Sequence, residues 1–165
     1  MAAQKSEVAN GAQFVTLGIE REVFAVPVAA VVEILAMQPV FRVPEMPAYC
    51  AGLIDVRGRG VPVIDLRMKF GLSASAATEN TRILVVEVPV AARRLVLGLI
   101  ADRVFEVAPL GKPDAPPDIG VTWRSDYISG VGRRGDGFVI ILDLARLFST
   151  DDATLLGQGA LAVPA

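Results

Sequence analysis

Two stretches of this chain read as two editions of one unit. Displaced by 78 positions, "YCAGLIDVRGRGVPVIDLRMKF" falls on "YISGVGRRGDGFVIILDLARLF" without a gap. Tyr49 then meets Tyr127, Gly52 meets Gly130, Ile64 meets Leu142, Asp65 meets Asp143 and Phe70 meets Phe148. Upstream the match continues at a displacement of 73, where Val23, Phe24, Ala25, Val31 and Glu33 fall on Val96, Leu97, Gly98, Val104 and Glu106. The second copy therefore holds about five extra residues between the two blocks, and "PLGKPDAPPDIG" supplies them as a loop rich in proline and glycine. A duplicated chain must fold as two related units.

Each copy reads as short strands. "FVTLGI", "EVFAVP", "VVEILAM", "GLIDV" and "VPVIDL" make up the first, and "RILVVEV", "RLVLGLI", "RVFEVAP", "YISGV" and "FVIILDL" the second. Val, Ile and Leu dominate these runs, Gly, Pro, Asp and Asn punctuate them, and each run is too short for a helix. Five closely spaced strands per copy predict an all-β protein of two five-stranded barrels, because closure removes exposed edges. The expected bounds are about 14–77 for the first barrel and 82–148 for the second, with strands near the termini free to cross between them. Residues 1–13 are expected to be a flexible N-terminus, and 151–165 a tail or short helix around "DDATLLG". Single helical turns are expected after Asp65 and Asp143, whose side chains can cap the N–H groups that follow.

Composition removes most catalytic and binding classes. The 165 residues contain no histidine and one cysteine, Cys50, so there is no Ser-His-Asp or Cys-His constellation, no histidine to accept a phosphoryl group and no cysteine metal cluster. No cofactor or metal is expected, and no enzymatic activity. Net charge is −2, with the arginines scattered, which argues against nucleic acid and for a protein partner. The run "VFAVPVAAVVEILAM" is interrupted by Pro27 and Glu33, well short of the roughly 20 residues of a membrane span. Together with the lack of an apolar signal core in "MAAQKSEVANGA", these features predict a cytoplasmic protein without membrane insertion.

The strings "VVEIL…VPEMPAYCAG", "GLIDVRGRGVPVIDLRMKFGL", "GLIADRVFEV" and "ISGVGRRGDGFVIILDLARLF" resemble the CheW family, the coupling proteins of bacterial chemotaxis. The likeness runs from about Phe14 to Phe148. It implies a CheW-like domain over 14–150, built as two packed SH3-like five-stranded barrels. It also implies a stand-alone scaffold, recruited to membrane-associated arrays, that joins the cytoplasmic tips of methyl-accepting chemoreceptors to the regulatory domain of the histidine kinase CheA. The receptor-binding residues implied are Val31, Glu33, Gly52, Asp55 and Arg57; the kinase-binding residues are left open. A different class of function, a small-ligand-binding double barrel using the crevice between the copies, is the alternative.

Within "D-V-R-G", Asp55 replaces the asparagine usual in the family. In an extended strand it would share a face with Arg57, so its carboxylate is expected to steer the guanidinium or blunt its charge. Glu33 is expected to hold the same guanidinium from across the sheet. Arg59 reads as a solvated residue, and "G-R-G" at 58–60 as a hairpin turn. Asp65 with Arg67 and Asp143 with Arg146 read as capping and packing pairs.

Overall fold

The computed structural model describes residues 12–90, 92–110 and 127–148. The proline-rich loop, the stretch around "DDATLLG" and almost all of the N-terminal segment lie outside them. Ten strands follow in order: β1 Gln13–Ile19, β2 Glu22–Pro27, β3 Val31–Ala36, β4 Cys50–Val56, β5 Arg59–Asp65, β6 Arg82–Val90, β7 Arg93–Ala101, β8 Arg103–Pro109, β9 Ile128–Arg134 and β10 Gly137–Leu142. One-turn helices, α1 (Leu66–Lys69) and α2 (Leu144–Leu147), end the two copies. No helix among the described residues is long and apolar enough to cross a membrane.

The strands form two five-stranded sheets, ordered β8-β1-β2-β10-β9 and β3-β6-β7-β5-β4. Replacing every strand by its equivalent in the other copy turns one order into the other, so the duplication is exact at the level of topology. Strands cross between the expected units at 14–77 and 82–148, as those bounds left open. Each barrel takes the first hairpin of one copy and the last three strands of the other, joined by the parallel pairs Ile140 with Phe24 and Ile64 with Leu99.

The exchange has a physical cause in the first hairpins. In β1 every residue from Phe14 to Ile19 is buried, so neither face can be given to water. Phe14 faces the core inside its own barrel, with Val139 and Ile141. Val15, Leu17 and Ile19 face the other way, into a cluster with Leu84, Val86 and Val88. β6 repeats the arrangement, with Ile83 inside the other barrel. Strands buried on both faces read as continuous apolar runs, which is why these segments lack alternation. Between the barrels lies the largest hydrophobic cluster of the described residues.

Repeated residues occupy repeated positions. The N–H of Asp65 donates to the carbonyl of Tyr49 at 2.8 Å, and that of Asp143 to Tyr127 at 2.7 Å. Each aspartate then caps its helix, accepting from the N–H of Arg67 at 3.0 Å or of Arg146 at 3.2 Å. The arginines that follow have diverged. Arg67, mostly buried, ties three connections together: it pairs with Glu20 in the β1–β2 turn, with Asp102 between β7 and β8 at 2.8 Å, and donates to the carbonyl of Ser73 at 2.9 Å. Arg146 is largely exposed, and its ion pair is with Asp143, at 3.6 Å.

Burial pushes the Asp65 carboxyl upward, backbone N–H groups of Arg67 and Met68 pull it back, and the charge of Asp102 adds to the rise. A carboxyl raised on folding binds its proton more tightly in the folded chain than in the unfolded one. Its contribution to stability is therefore greatest in acid and is lost as pH climbs through the folded-state pKa. Asp65→Asn keeps an oxygen for the cap and removes the desolvated charge. Denaturant titrations should show this variant at least as stable as the parent at about pH 7, with its relative advantage shrinking toward about pH 4. A clear loss of stability at neutral pH would contradict this account of Asp65.

Candidate functional site

β3 and β4 are the outer strands of one sheet, β8 and β9 those of the other. Where the outer strands of each barrel approach, a glutamate and an arginine meet. In the second barrel Glu106 of β8 accepts from Arg134 Nε of β9 at 2.9 Å. In the first, Glu33 of β3 faces Arg57 Nη1, just beyond β4, at 3.6 Å, which is too long for a hydrogen bond. The Oε1 atom of Glu33 is shielded from solvent and has no hydrogen-bond partner, whereas the Arg57 side chain is 80% exposed. The glutamates are equivalent in the repeat, yet of the two pairs only the second is closed by a hydrogen bond.

The backbone of Arg57 explains its exposure. Val56 pairs with Arg59, so Arg57 and Gly58 alone form the hairpin loop, and both have positive φ, 53° and 83°. This is the signature of a type I′ turn, whose mirror-image geometry fits the twist of the strands and favours Asn-Gly or Gly-Gly. The turn thus precedes the expected "G-R-G" position, and Arg59 and Gly60 belong to β5. An arginine in the left-handed region costs roughly 1–2 kcal/mol. The equivalent position of the second copy is Gly135, with φ 58°, a left-handed φ that costs glycine nothing; there the next loop residue, Asp136, does not share the positive φ of Gly58.

Asp55 is engaged with the backbone of the turn. Its Oδ1 accepts the N–H of Gly58 at 2.7 Å, closing the turn from within. The expected shared strand face is absent, because the chain stops being extended after Val56.

Gly52 is buried, with φ 142°, and an added Cβ would lie 2.1 Å from the carbonyl oxygen of Phe41. Phe41 and Leu53 exchange both backbone hydrogen bonds there, at 2.8 Å, fastening the 37–49 connection across β4. Gly52 therefore shapes the support of the site from beneath. Val31 is half-buried against the cluster between the barrels and pairs with Val86. Exposed beside this seam are Val32, Ile34 and Phe41, an apolar fringe that the sequence reading did not single out. The sequence of β3 carried no signal for two of them, because apolar residues fall on both faces of the strand and Glu33 lies on the more buried one.

Among the described residues no three His, Cys, Asp or Glu side chains cluster as metal ligands. Burial pushes the Cys50 thiol up, away from the reactive thiolate. The junction of α1 and α2 carries an open groove of about 580 Å³, lined by Met68, Lys69, Phe70, Tyr127, Arg146 and Leu147.

Comparison with known proteins agrees with this architecture. The family described as CheW-like domain matches residues 13–152. The chain belongs to the CheW family. It is 31% identical over 140 residues to the chemotaxis protein CheW of Helicobacter pylori, covering 84% of this chain and 82% of that protein. To the CheW of Treponema pallidum it is 30% identical over 148 residues, covering 88% and 87%. The crystal structure of the scaffolding protein TtCheW from Thermoanaerobacter tengcongensis superposes with a TM-score of 0.74 at 28% identity, over 86% of this chain and 95% of that one. Membership in a family of chemotaxis scaffolds gives the exposed Arg57 a context that composition alone did not.

If Arg57 is strained for the sake of its side chain, removing the side chain should relieve the fold. Arg57→Gly is expected to raise folding stability by about 0.5–1 kcal/mol, since an exposed ion pair at this distance contributes less than the left-handed backbone costs. Equilibrium denaturation measures it, and a destabilised variant would show that Arg57 serves the fold.

Proposed function

We propose that this protein is a non-enzymatic adaptor that joins the cytoplasmic tips of methyl-accepting chemoreceptors to the regulatory domain of the histidine kinase CheA. The observation that carries this reading is the contrast between Arg57 and Gly135. At one turn position in two copies of a unit, glycine stands where shape suffices, and an arginine with an 80% exposed side chain stands in the other. A strained, exposed guanidinium, held by no hydrogen bond to the nearby Glu33, suits a polar protein surface, where it would gain a partner. Val32, Ile34 and Phe41 supply apolar contact around it. The receptor is assigned to this seam. With no histidine to relay a phosphoryl group, the protein acts by holding two partners together, which raises the effective concentration of kinase at the receptor.

Arg57→Glu reverses the charge at the seam without disturbing the core. Its thermal midpoint is expected to stay within the range of ordinary surface substitutions, while affinity for a soluble receptor-tip fragment falls by about 2 kcal/mol or more. Capture of the kinase regulatory domain should persist. Equal loss of both partners, or retained receptor affinity, would overturn the assignment of the receptor to this seam.

A further inference from the structure

We infer that Asp55 is a positioning residue for Arg57, a brace that holds an otherwise disfavoured turn so that the guanidinium is presented beside Glu33. The inference rests on the receptor-binding reading of this seam. Its evidence is the difference between two copies of one hairpin. In the second copy the left-handed position is Gly135, and the residue equivalent to Asp55 is Arg133, whose guanidinium lies over the Phe138 ring at 5.1 Å. In the first copy a positive φ is imposed on Arg57 instead, and there a carboxylate two residues earlier accepts the Gly58 N–H at 2.7 Å. The brace is present where the strained side chain is present, and absent where glycine makes it unnecessary.

Gly58 itself is open: a Cβ built on it meets nothing within 4 Å. Side-chain packing therefore does not fix the turn at that residue, and the contact from Asp55 to its N–H is the described side-chain hydrogen bond that holds it. Without it, the preference of an L-residue for negative φ would draw Arg57 out of the left-handed region and its guanidinium away from Glu33. The requirement is an acceptor oxygen at position 55, not a charge. Asparagine, which makes the same turn closure, should serve equally. This separates positioning from electrostatic steering, for which the carboxylate charge would be essential.

The test compares Asp55→Ala, Asp55→Asn and Arg57→Glu in the full chain, using a soluble chemoreceptor-tip fragment and the kinase regulatory domain as probes. Asp55→Ala is expected to weaken receptor-fragment binding by about tenfold, the value of one lost hydrogen bond, while kinase binding stays unchanged. Asp55→Asn should restore it. In parallel, hydrogen exchange of the Gly58 amide should accelerate in Asp55→Ala and return to the parental rate in Asp55→Asn. If Arg57→Glu weakens receptor binding but Asp55→Ala does not, the positioning role is wrong and the receptor reading survives. If Arg57→Glu also binds normally, both fall together. Failure of Asp55→Asn to rescue, or equal loss of kinase binding in Asp55→Ala, would show that the charge or the fold, and not the brace, is what position 55 supplies.

Discussion

Neither copy of the repeated unit closes a barrel by itself. β1 and β2 bury both faces, one inside a barrel and one between the barrels, so they must cross to the strands of the other copy. The joints are the parallel pairs of β2 with β10 and of β7 with β5, and the antiparallel pairs of β1 with β8 and of β3 with β6. The exchange makes the inter-barrel cluster continuous with both halves of the chain, and the two copies cannot separate without breaking sheet hydrogen bonds as well as apolar contact. Arg67, pairing with Glu20 and Asp102 and bonding to Ser73, adds a polar fastening at the rim of the same junction.

A rigid pair of barrels related by exchange offers two similar seams, and the chain has treated them differently. Glu106 and Arg134 close theirs with a hydrogen bond at 2.9 Å. Glu33 and Arg57 stand 3.6 Å apart, with the carboxylate oxygen sheltered and the guanidinium exposed. The duplicated scaffold thus supplies its own control: two positions with the same topology, one closed by a hydrogen bond and one not. Strain in the Arg57 turn has the same meaning, since the second copy shows that glycine satisfies the backbone there.

Most of the local structure was legible in the sequence. Ten apolar runs became ten strands because turn residues bounded each of them, and Asp65 and Asp143 capped their helices because the motif for capping is local. The resemblance carried by "GLIDVRGRGVPVIDL" led to the right family. Strand exchange was not legible as a boundary, since pairing of β1 with β8 joins residues about ninety positions apart and no short-range pattern records it. The task of Asp55 was missed for the opposite reason. Alternation assumes an extended chain, and it ends at Val56. The role of Gly52 depended on where the carbonyl of Phe41 would lie, a tertiary fact.

If the receptor meets the seam of Glu33 and Arg57, the backbone of that seam should report its binding. Titrating isotope-labelled protein with a chemoreceptor-tip fragment, and following backbone amide resonances, tests it most directly. The largest shifts should fall on Val31–Ile34 and on Asp55–Arg59, with the second seam around Glu106 and Arg134 unaffected. Shifts centred instead on the groove of Met68, Lys69, Tyr127 and Arg146, or on the second seam, would contradict it.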